Sequence, residues 1–193
     1  MLYSIIIIVA MIIVSLFNIL FNSIEPWYIY AIYTIVLTII VIIIDGIVAW
    51  LIRSMPEKWF DYHKKVFSTS KREKNFYDFL HIKSWKEKVP ELGMFTSFRK
   101  NKIKNPNDPE YLKRFILEAC YGVIIHYYSV PFGFLILLCD YKMYYTYSNI
   151  WLTIALPVAL VNAVLILLPA FILKYNLPKL IRLYEFKKQK KGE

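Results

Sequence analysis

The chain has 193 residues, of which 58% are hydrophobic and only 20% are charged, and its formal net charge is +10. An ordinary globular domain has about 45–50% apolar and about 25% charged residues. The apolar residues are concentrated in long runs, so we exclude a soluble domain and predict an all-α, polytopic membrane protein. Because the basic segments directly abut these runs, membrane lipids with anionic head groups are the expected partners, and nucleic acid is not.

Four apolar stretches are long enough to cross a bilayer, which takes about 20 residues of helix. They run from about Ser4 to Phe21, Trp27 to Ile52, Phe115 to Leu138 and Trp151 to Leu173. The first lacks the basic start and the cleavage site of a signal peptide, so we interpret it as an uncleaved anchor. We predict a transmembrane hairpin at residues 1–52, an insert at 53–114, a second transmembrane hairpin at 115–173 and a tail at 174–193.

The charge distribution predicts an orientation for these spans. The insert has 16 Lys and Arg against 8 Asp and Glu, and the tail has 7 against 2. Lys and Arg accumulate on the cytoplasmic side of a membrane. We therefore expect the insert, the tail and both termini to be cytoplasmic, in a multi-pass protein of the cell membrane. Aromatic residues at 27–33 and 141–151 fall on the opposite face, where they are expected to mark the outer interface.

The basic, aromatic-rich insert is expected to contain amphipathic helices rather than a flexible linker. Helical spacing of the aromatic residues predicts a first helix within Met55–Phe67, and the polar stretch Ser68–Asn75 predicts a turn. A second helix is predicted at Phe76–Lys88, with its apolar side in the head-group layer. From Glu110 onward the chain is expected to lead into the third span.

The sequence has no GxSxG, P-loop, GxGxxG or HExxH motif, which argues against a serine hydrolase or a nucleotide-dependent enzyme. No Cys/His spacing indicates a metal site, and no bound cofactor is expected. The remaining candidates for chemistry are polar side chains within the spans, where they are costly and often functional.

His126 is the first of these candidates. It lies 12 residues beyond Arg114, which is about 18 Å along a helix and near the bilayer midplane. A neutral imidazole at this depth either acts as general base on a hydroxyl or bonds to a neighbouring helix. Pro131 adds an acceptor to this site. It cannot donate to the carbonyl of Tyr127, so that carbonyl is expected to be free.

Three more polar side chains fall within the spans. Glu118 and Asp45 are expected about 6 Å and about 12 Å inside the border marked by the basic residues. Each carboxylate either orients the histidine or binds a substrate hydroxyl, or extends toward a basic residue of the insert. Asn162 either forms an interhelical hydrogen bond or contacts substrate.

The tail segment Lys174–Leu183 begins as the fourth span ends. Pro178 is predicted to break the helix here. Lys174, Lys179 and Arg182 either meet the phosphates of a lipid or an acyl donor, or form an ordinary positive-inside flank.

Four segments carry a resemblance to a known family: MPEKWF (Met55–Phe60), IKSWKEKVPELG (Ile82–Gly93), FILEACYGVIIHYYSVP (Phe115–Pro131) and LPAFILKYNLPKL (Leu168–Leu180). In this order and spacing they resemble the glycosyl-4,4'-diaponeurosporenoate acyltransferases of staphyloxanthin-type carotenoid biosynthesis. Glu118 and His126 match the family's first glutamate and its histidine. Val123 stands where a second glutamate is expected, at a position that shares the face of His126.

The resemblance implies a membrane acyltransferase. It would move a fatty acyl group from a thioester, either acyl-CoA or an acyl carrier protein, to a hydroxyl of a glycolipid or a glycosylated terpenoid. His126 is then the general base, and Glu118 polarises or positions the reacting groups. Substrate contacts are expected from Asp45, Trp85, Lys86, Asn162, Lys174, Tyr175 and Asn176, with no metal.

The alternative is a non-catalytic membrane protein on the same scaffold, such as a small subunit, an immunity factor or an assembly partner. Val123 favours this alternative, whereas the pairing of Glu118 with His126 on one helix favours the enzyme. The chain is expected to work alone, as an oligomer or within a membrane complex, and the sequence leaves these states open.

Overall fold

The computed structural model describes residues 2–21, 27–89, 103–138 and 150–191. Of these residues, 85% are helical and none lies in a strand, which confirms the all-α prediction. The aromatic group at 141–149, assigned above to the outer interface, lies outside the described residues. The chain forms two compact units, Met1–Trp50 with Tyr128–Ile166 and Leu51–Tyr127 with Leu167–Glu193.

Six α-helices account for most of the described chain. They are α1 (Leu2–Phe21), α2 (Tyr28–Arg53), α3 (Lys71–Phe79), α4 (Ile82–Trp85), α5 (Pro109–Gly133) and α6 (Leu156–Lys191). Short 3-10 helices occur at Glu57–Phe60, Lys65–Phe67 and Phe134–Leu138, and a π-helical turn at Trp151–Ala155 precedes α6. Within the described ranges, four segments are long and apolar enough to cross a membrane: Ser4–Phe21, Tyr28–Arg53, Pro109–Leu138 and Trp151–Lys190.

The first unit has a core of aliphatic side chains around the buried Tyr30, with Leu37, Val41, Ile136 and Ile154 among its members. A polar contact joins helix α1 to the π-helical turn that precedes α6. Asn18 Nδ2 donates to the carbonyl of Thr153 over 2.9 Å. That carbonyl is the acceptor that Pro157, four residues later, cannot reach because it has no N–H. The Asn18 side chain therefore donates to a carbonyl that Pro157 cannot serve.

In the second unit, the insert packs against the later part of α6. Tyr77, Ile82 and Ile172 are buried together, with Trp85 and Phe171 packed beside them. The insert helix α3 begins in a capping box. Ser70 Oγ accepts from Glu73 N–H, and Glu73 Oε2 accepts from Ser70 N–H over 2.8 Å. This reciprocal pair satisfies two of the donors that a helix start leaves open.

The helix bounds predicted within the insert were wrong. Met55–Phe67 forms two 3-10 turns rather than an α-helix, and part of the predicted Ser68–Asn75 turn is the first half of α3. The single helix predicted at Phe76–Lys88 is broken at His81, which has the left-handed φ of 51°. Histidine is one of the non-glycine residues enriched in that region. The imidazole Nδ1 lies 2.7 Å from the carbonyl of Phe79, which stabilises the break.

The prediction that Pro178 breaks the helix was also wrong, because α6 continues through Pro169 and Pro178 to Lys191. A proline at 178 leaves the carbonyl of Lys174 without its helical donor. Thr69 Oγ1 donates to this carbonyl over 3.2 Å. The insert thus satisfies the acceptor that Pro178 exposes. The helix continues about five turns beyond the predicted end of the fourth span at Leu173.

Candidate functional site

In the second unit, charged side chains at the end of α2 and in the first half of α5 form ion pairs. Glu118, whose side chain is only 12% exposed, lies 2.8 Å from both Arg53 Nη1 and Arg114 Nη2. Arg114 also pairs with Glu57 of the insert at 3.2 Å, and the Arg53 guanidinium lies 5.6 Å from the centroid of the Tyr121 ring. Two guanidinium groups therefore hold the Glu118 carboxylate, which ties α5 to the end of α2.

His126 lies farther along α5, eight residues beyond Glu118 and so about 12 Å along the helix axis. Its side chain is partly buried. Among the described residues, no carboxylate pairs with the imidazole. Val123, one turn earlier, is fully buried. In the part of the chain that the structure describes, the histidine therefore lacks the acidic partner that the family pattern places one turn away.

The tail residue Lys174 is buried in the second unit and paired with the insert. Its side chain is 6% exposed, and Nζ lies 3.0 Å from Glu73 Oε1. The same ammonium lies 5.9 Å from the centroid of the Tyr127 ring, which directly follows His126 in the sequence. Burial raises the pKa of Glu73, but the Ser70 N–H and the Lys174 ammonium outweigh it and hold that pKa below its ordinary value.

Tyr175 is the centre of a second group of contacts between insert and tail. The ammonium groups of Lys179 and Lys86 lie 4.3 Å and 5.8 Å from its ring centroid. Lys86 Nζ also donates to Asn176 Oδ1 over 3.4 Å. We name this group, Lys86, Tyr175, Asn176 and Lys179, the lysine–tyrosine cluster. It brings together three of the residues expected to bind substrate and Lys179, one of the residues for which a contact with phosphates was one of two alternatives.

Trp85 lies next to this cluster, but its polar atom is used within the insert. The indole Nε1–H donates to the carbonyl of Leu80 over 2.7 Å, and the ring packs on the apolar group around Tyr77. Burial and the nearby Tyr127 hydroxyl raise the pKa of Tyr77 far above its ordinary range. The Tyr77 phenol is therefore neutral throughout the physiological pH range.

Asp45 and Asn162 fall in the first unit rather than with the lysine–tyrosine cluster. The Asp45 carboxyl lies within interaction range of the Asn162 amide and of the Ser129 hydroxyl. A Cβ added to Gly133 would lie 2.9 Å from Asn162 Nδ2, so this glycine allows α5 and α6 to approach closely. The sequence analysis missed Ser129, although a serine three residues after His126 in an apolar span is a detectable signal.

An open groove of about 410 Å³ at the start of α5 was also missed. Its wall carries three acidic and three basic side chains, from Glu57, Lys58, Asp61, Glu110, Lys113 and Arg114. Tyr62, also in the wall, donates to Glu185 Oε1 over 2.7 Å. Burial and this carboxylate raise the pKa of Tyr62. In the part of the chain that the structure describes, no group of three or more His, Cys, Asp and Glu side chains could hold a metal ion.

No curated protein and no solved structure matches the chain significantly. The sequence profile of one family, glycosyl-4,4'-diaponeurosporenoate acyltransferase, matches residues 56–186. The match spans about two thirds of the chain, from the first 3-10 turn of the insert through most of α6. It includes Glu118 with its partner Arg114, the lysine–tyrosine cluster and His126, whereas Arg53 lies just before it. The chain therefore belongs to the glycosyl-4,4'-diaponeurosporenoate acyltransferase family.

Proposed function

We propose that the protein is an integral-membrane acyltransferase that moves a fatty acyl group from a thioester to a hydroxyl of a lipid. The family supplies the reaction class. The observation that carries the proposal is the contact of the tail with both the insert and α5. Lys174 pairs with Glu73 of the insert and lies over the ring of Tyr127, the residue after His126. The insert, α5 and the tail, which all belong to the family match, therefore meet next to His126 in the sequence. It is the only histidine within the described spans.

The proposed reaction needs a base for the acceptor hydroxyl. The neutral His126 imidazole takes the hydroxyl proton while the hydroxyl oxygen attacks the thioester carbonyl carbon. The carbon–sulfur bond then breaks, and the leaving thiolate takes the proton from the imidazolium, which restores the neutral base.

We assign the donor to the lysine–tyrosine cluster. The phosphates of an acyl-CoA or of a carrier-protein prosthetic group are anionic, and Lys86 and Lys179 present two ammonium groups around the Tyr175 ring. Lys174 was expected to share this role, but its buried ammonium is neutralised by Glu73. We therefore propose that Lys174 positions the tail and that Lys86 and Lys179 meet the phosphates.

The acceptor and the membrane setting complete the proposal. We assign Asp45 and Asn162 to the polar part of the lipid acceptor, a glycolipid or glycosylated terpenoid by analogy with the family name. Glu118 acts as a positioning residue, since its ion pairs with Arg53 and Arg114 fix α5. The protein would lie in the cell membrane with both termini cytoplasmic and its basic insert on anionic head groups.

A non-catalytic membrane subunit is the second candidate function. It is favoured by Val123, which is fully buried at the position of the expected second glutamate. Without that carboxylate, the His126 ring lacks the orienting partner that catalytic histidines usually have. A member of the family that had lost activity would keep the ion pairs of Lys174 and Glu118 for folding alone.

A reconstituted assay separates the two candidates. Purified protein in liposomes is given a labelled acyl thioester and a glycolipid acceptor, and the ester is measured by mass spectrometry. We expect His126→Gln to lower the rate by about 10²–10⁴, because Gln cannot take up a proton at neutral pH. The matched control is His63→Gln, at an exposed histidine of the insert. Full activity of His126→Gln would eliminate the base role.

A further inference from the structure

Two segments of the second unit line the open groove at the start of α5: residues 57–62 of the insert and residues 110–117 of the helix. The groove has a volume of about 410 Å³, which falls within the range of small-molecule sites. Its apolar part is formed by the buried Phe60 and Ile116 and the half-buried Leu117. The groove therefore combines space, charged groups and an apolar surface.

Each of the two lining segments carries one base and one acid, three residues apart. In the insert they are Lys58, within a 3-10 turn, and Asp61, the residue that ends the turn. Side chains with this spacing lie one above the other on a 3-10 helix. In α5 they are Glu110 and Lys113, which are neighbours on the helix surface. Both segments thus bring charges of both signs to the groove.

These four charged groups remain available to a ligand. The other two charged residues of the wall, Arg114 and Glu57, pair with each other at 3.2 Å. Within the described ranges, none of the four forms an ion pair. Asp61 Oδ1 accepts from the His63 N–H over 3.0 Å, which uses one of its two carboxylate oxygens. All four side chains are exposed, so a ligand in the groove can reach them.

The balance of these charges restricts the chemistry of the ligand. Two ammonium groups and two carboxylates leave no net charge, so a simple anion would face the carboxylates and a simple cation the lysines. Like charges held side by side are unfavourable. A zwitterion that carries a phosphate and an ammonium group satisfies both sets: the lysines donate to the phosphate oxygens, and the carboxylates accept from the ammonium N–H groups.

The place of the groove along α5 indicates where such a zwitterion comes from. Glu110 and Lys113 directly precede the apolar run that begins at Phe115, at the level where a span meets the lipid head groups. We propose that the groove binds a phosphate–ammonium zwitterion, the phosphoethanolamine head group of a membrane phospholipid. A water-soluble ester of phosphoethanolamine has the same chemistry, so the test separates the two sources. The proposal does not depend on acyl transfer.

The test is equilibrium binding of radiolabelled phosphatidylethanolamine to the purified full-length protein in a nonionic detergent. The comparison probe is N-acetyl phosphatidylethanolamine, which keeps the phosphate and the acyl chains but has no ammonium group. We expect phosphatidylethanolamine to bind about three- to tenfold more tightly, because two exposed carboxylates each add a modest attraction. Equal binding of the two lipids would overturn the proposal.

The double variant Asp61→Asn/Glu110→Gln tests the ammonium side. It removes both free carboxylates, while Asn keeps an oxygen for the His63 N–H. We expect the two lipids to bind it equally. The matched control is Asp78→Asn/Glu87→Gln, at exposed acids of the insert outside the groove, which should keep the preference. A preference that persists in the groove variant, or that disappears in the control as well, would overturn the proposal.

The double variant Lys58→Gln/Lys113→Gln tests the phosphate side. We expect it to weaken binding of both lipids alike, by about three- to tenfold, since both carry the phosphate. The control Lys83→Gln/Lys88→Gln, at exposed lysines outside the groove, should bind both as the wild type does. Unchanged binding to the groove variant would contradict the phosphate contact.

Competition with glycerophosphoethanolamine separates the two sources of the zwitterion. This molecule is the soluble head group without acyl chains. We expect it to displace phosphatidylethanolamine only at a far higher concentration than the unlabelled lipid does, because the acyl chains add apolar contact beside the span. Displacement at a similar concentration would overturn the membrane source and assign the groove to a soluble ester.

Discussion

The hydrogen bond from Thr69 Oγ1 satisfies the carbonyl of Lys174, which Pro178 leaves without a donor inside α6. Thr69→Val removes the donor and keeps the shape of the side chain. It leaves a partly buried carbonyl with no replacement, so we expect a loss of about 1–2 kcal/mol in the free energy of unfolding. For a chain of this length, that loss lowers the Tm by about 3–6 °C.

The same substitution should cost much less when residue 178 can donate. In the Pro178→Ala background, the new N–H can bond to the Lys174 carbonyl within the helix, and the cost of Thr69→Val should fall to about 0.5 kcal/mol or less. The two changes therefore couple by about 1 kcal/mol. Thermal unfolding of the four proteins in one detergent measures this coupling. Thr38→Val is the control, since its hydroxyl bonds to a carbonyl of its own helix. An equal cost of Thr69→Val in both backgrounds would refute the reasoning.

Three further predictions concern single positions. Gly133→Ala should lower the Tm in detergent, because the new Cβ would lie 2.9 Å from an amide nitrogen of α6, whereas Gly46→Ala, with nothing within 4 Å, should not. The stabilisation from the Glu73 carboxylate should be complete above its ordinary pKa of 4.5 and be lost as the pH falls through the lower folded-state value, so Glu73→Gln should flatten that part of a Tm–pH profile. Tyr175→Leu removes the ring that Lys86 and Lys179 share, so it should raise the KM for the acyl thioester about three- to tenfold and leave the KM for the acceptor unchanged.

The sequence predicted the membrane-spanning helices well because hydrophobic length is a local property. The second predicted span, Trp27 to Ile52, differs by one residue at each end from α2. The prediction failed at Pro178, where the carbonyl of Lys174 accepts a hydrogen bond from Thr69, 105 positions away from Lys174. No local pattern indicates that Thr69 would satisfy that carbonyl. The break at His81 was missed for a different reason. Its contact with the carbonyl of Phe79 is local, but no glycine marks the left-handed φ.

The candidate site shows the same limit. The basic and aromatic residues of the tail and insert were expected near substrate, and the structure brings Lys86, Tyr175 and Asn176 together. The sequence could not separate Lys174 from its neighbours, because its burial depends on Glu73 of the distant capping box. Glu118 was expected either to serve the histidine or substrate or to extend toward a basic residue of the insert. It pairs with Arg53 and Arg114, the first and last residues of that insert, which agrees with the second alternative.

The most direct test of acyl transfer is a comparison of membrane lipids from cells that express the wild-type chain, the His126→Gln variant or neither. Lipid extracts are analysed by mass spectrometry at matched protein abundance. The account predicts a long-chain fatty ester of a membrane lipid alcohol with the wild type, and its loss with His126→Gln and in the cells without the protein. The same lipid profile in all three membranes, with the wild-type protein folded and abundant, would contradict the account and favour a non-catalytic subunit.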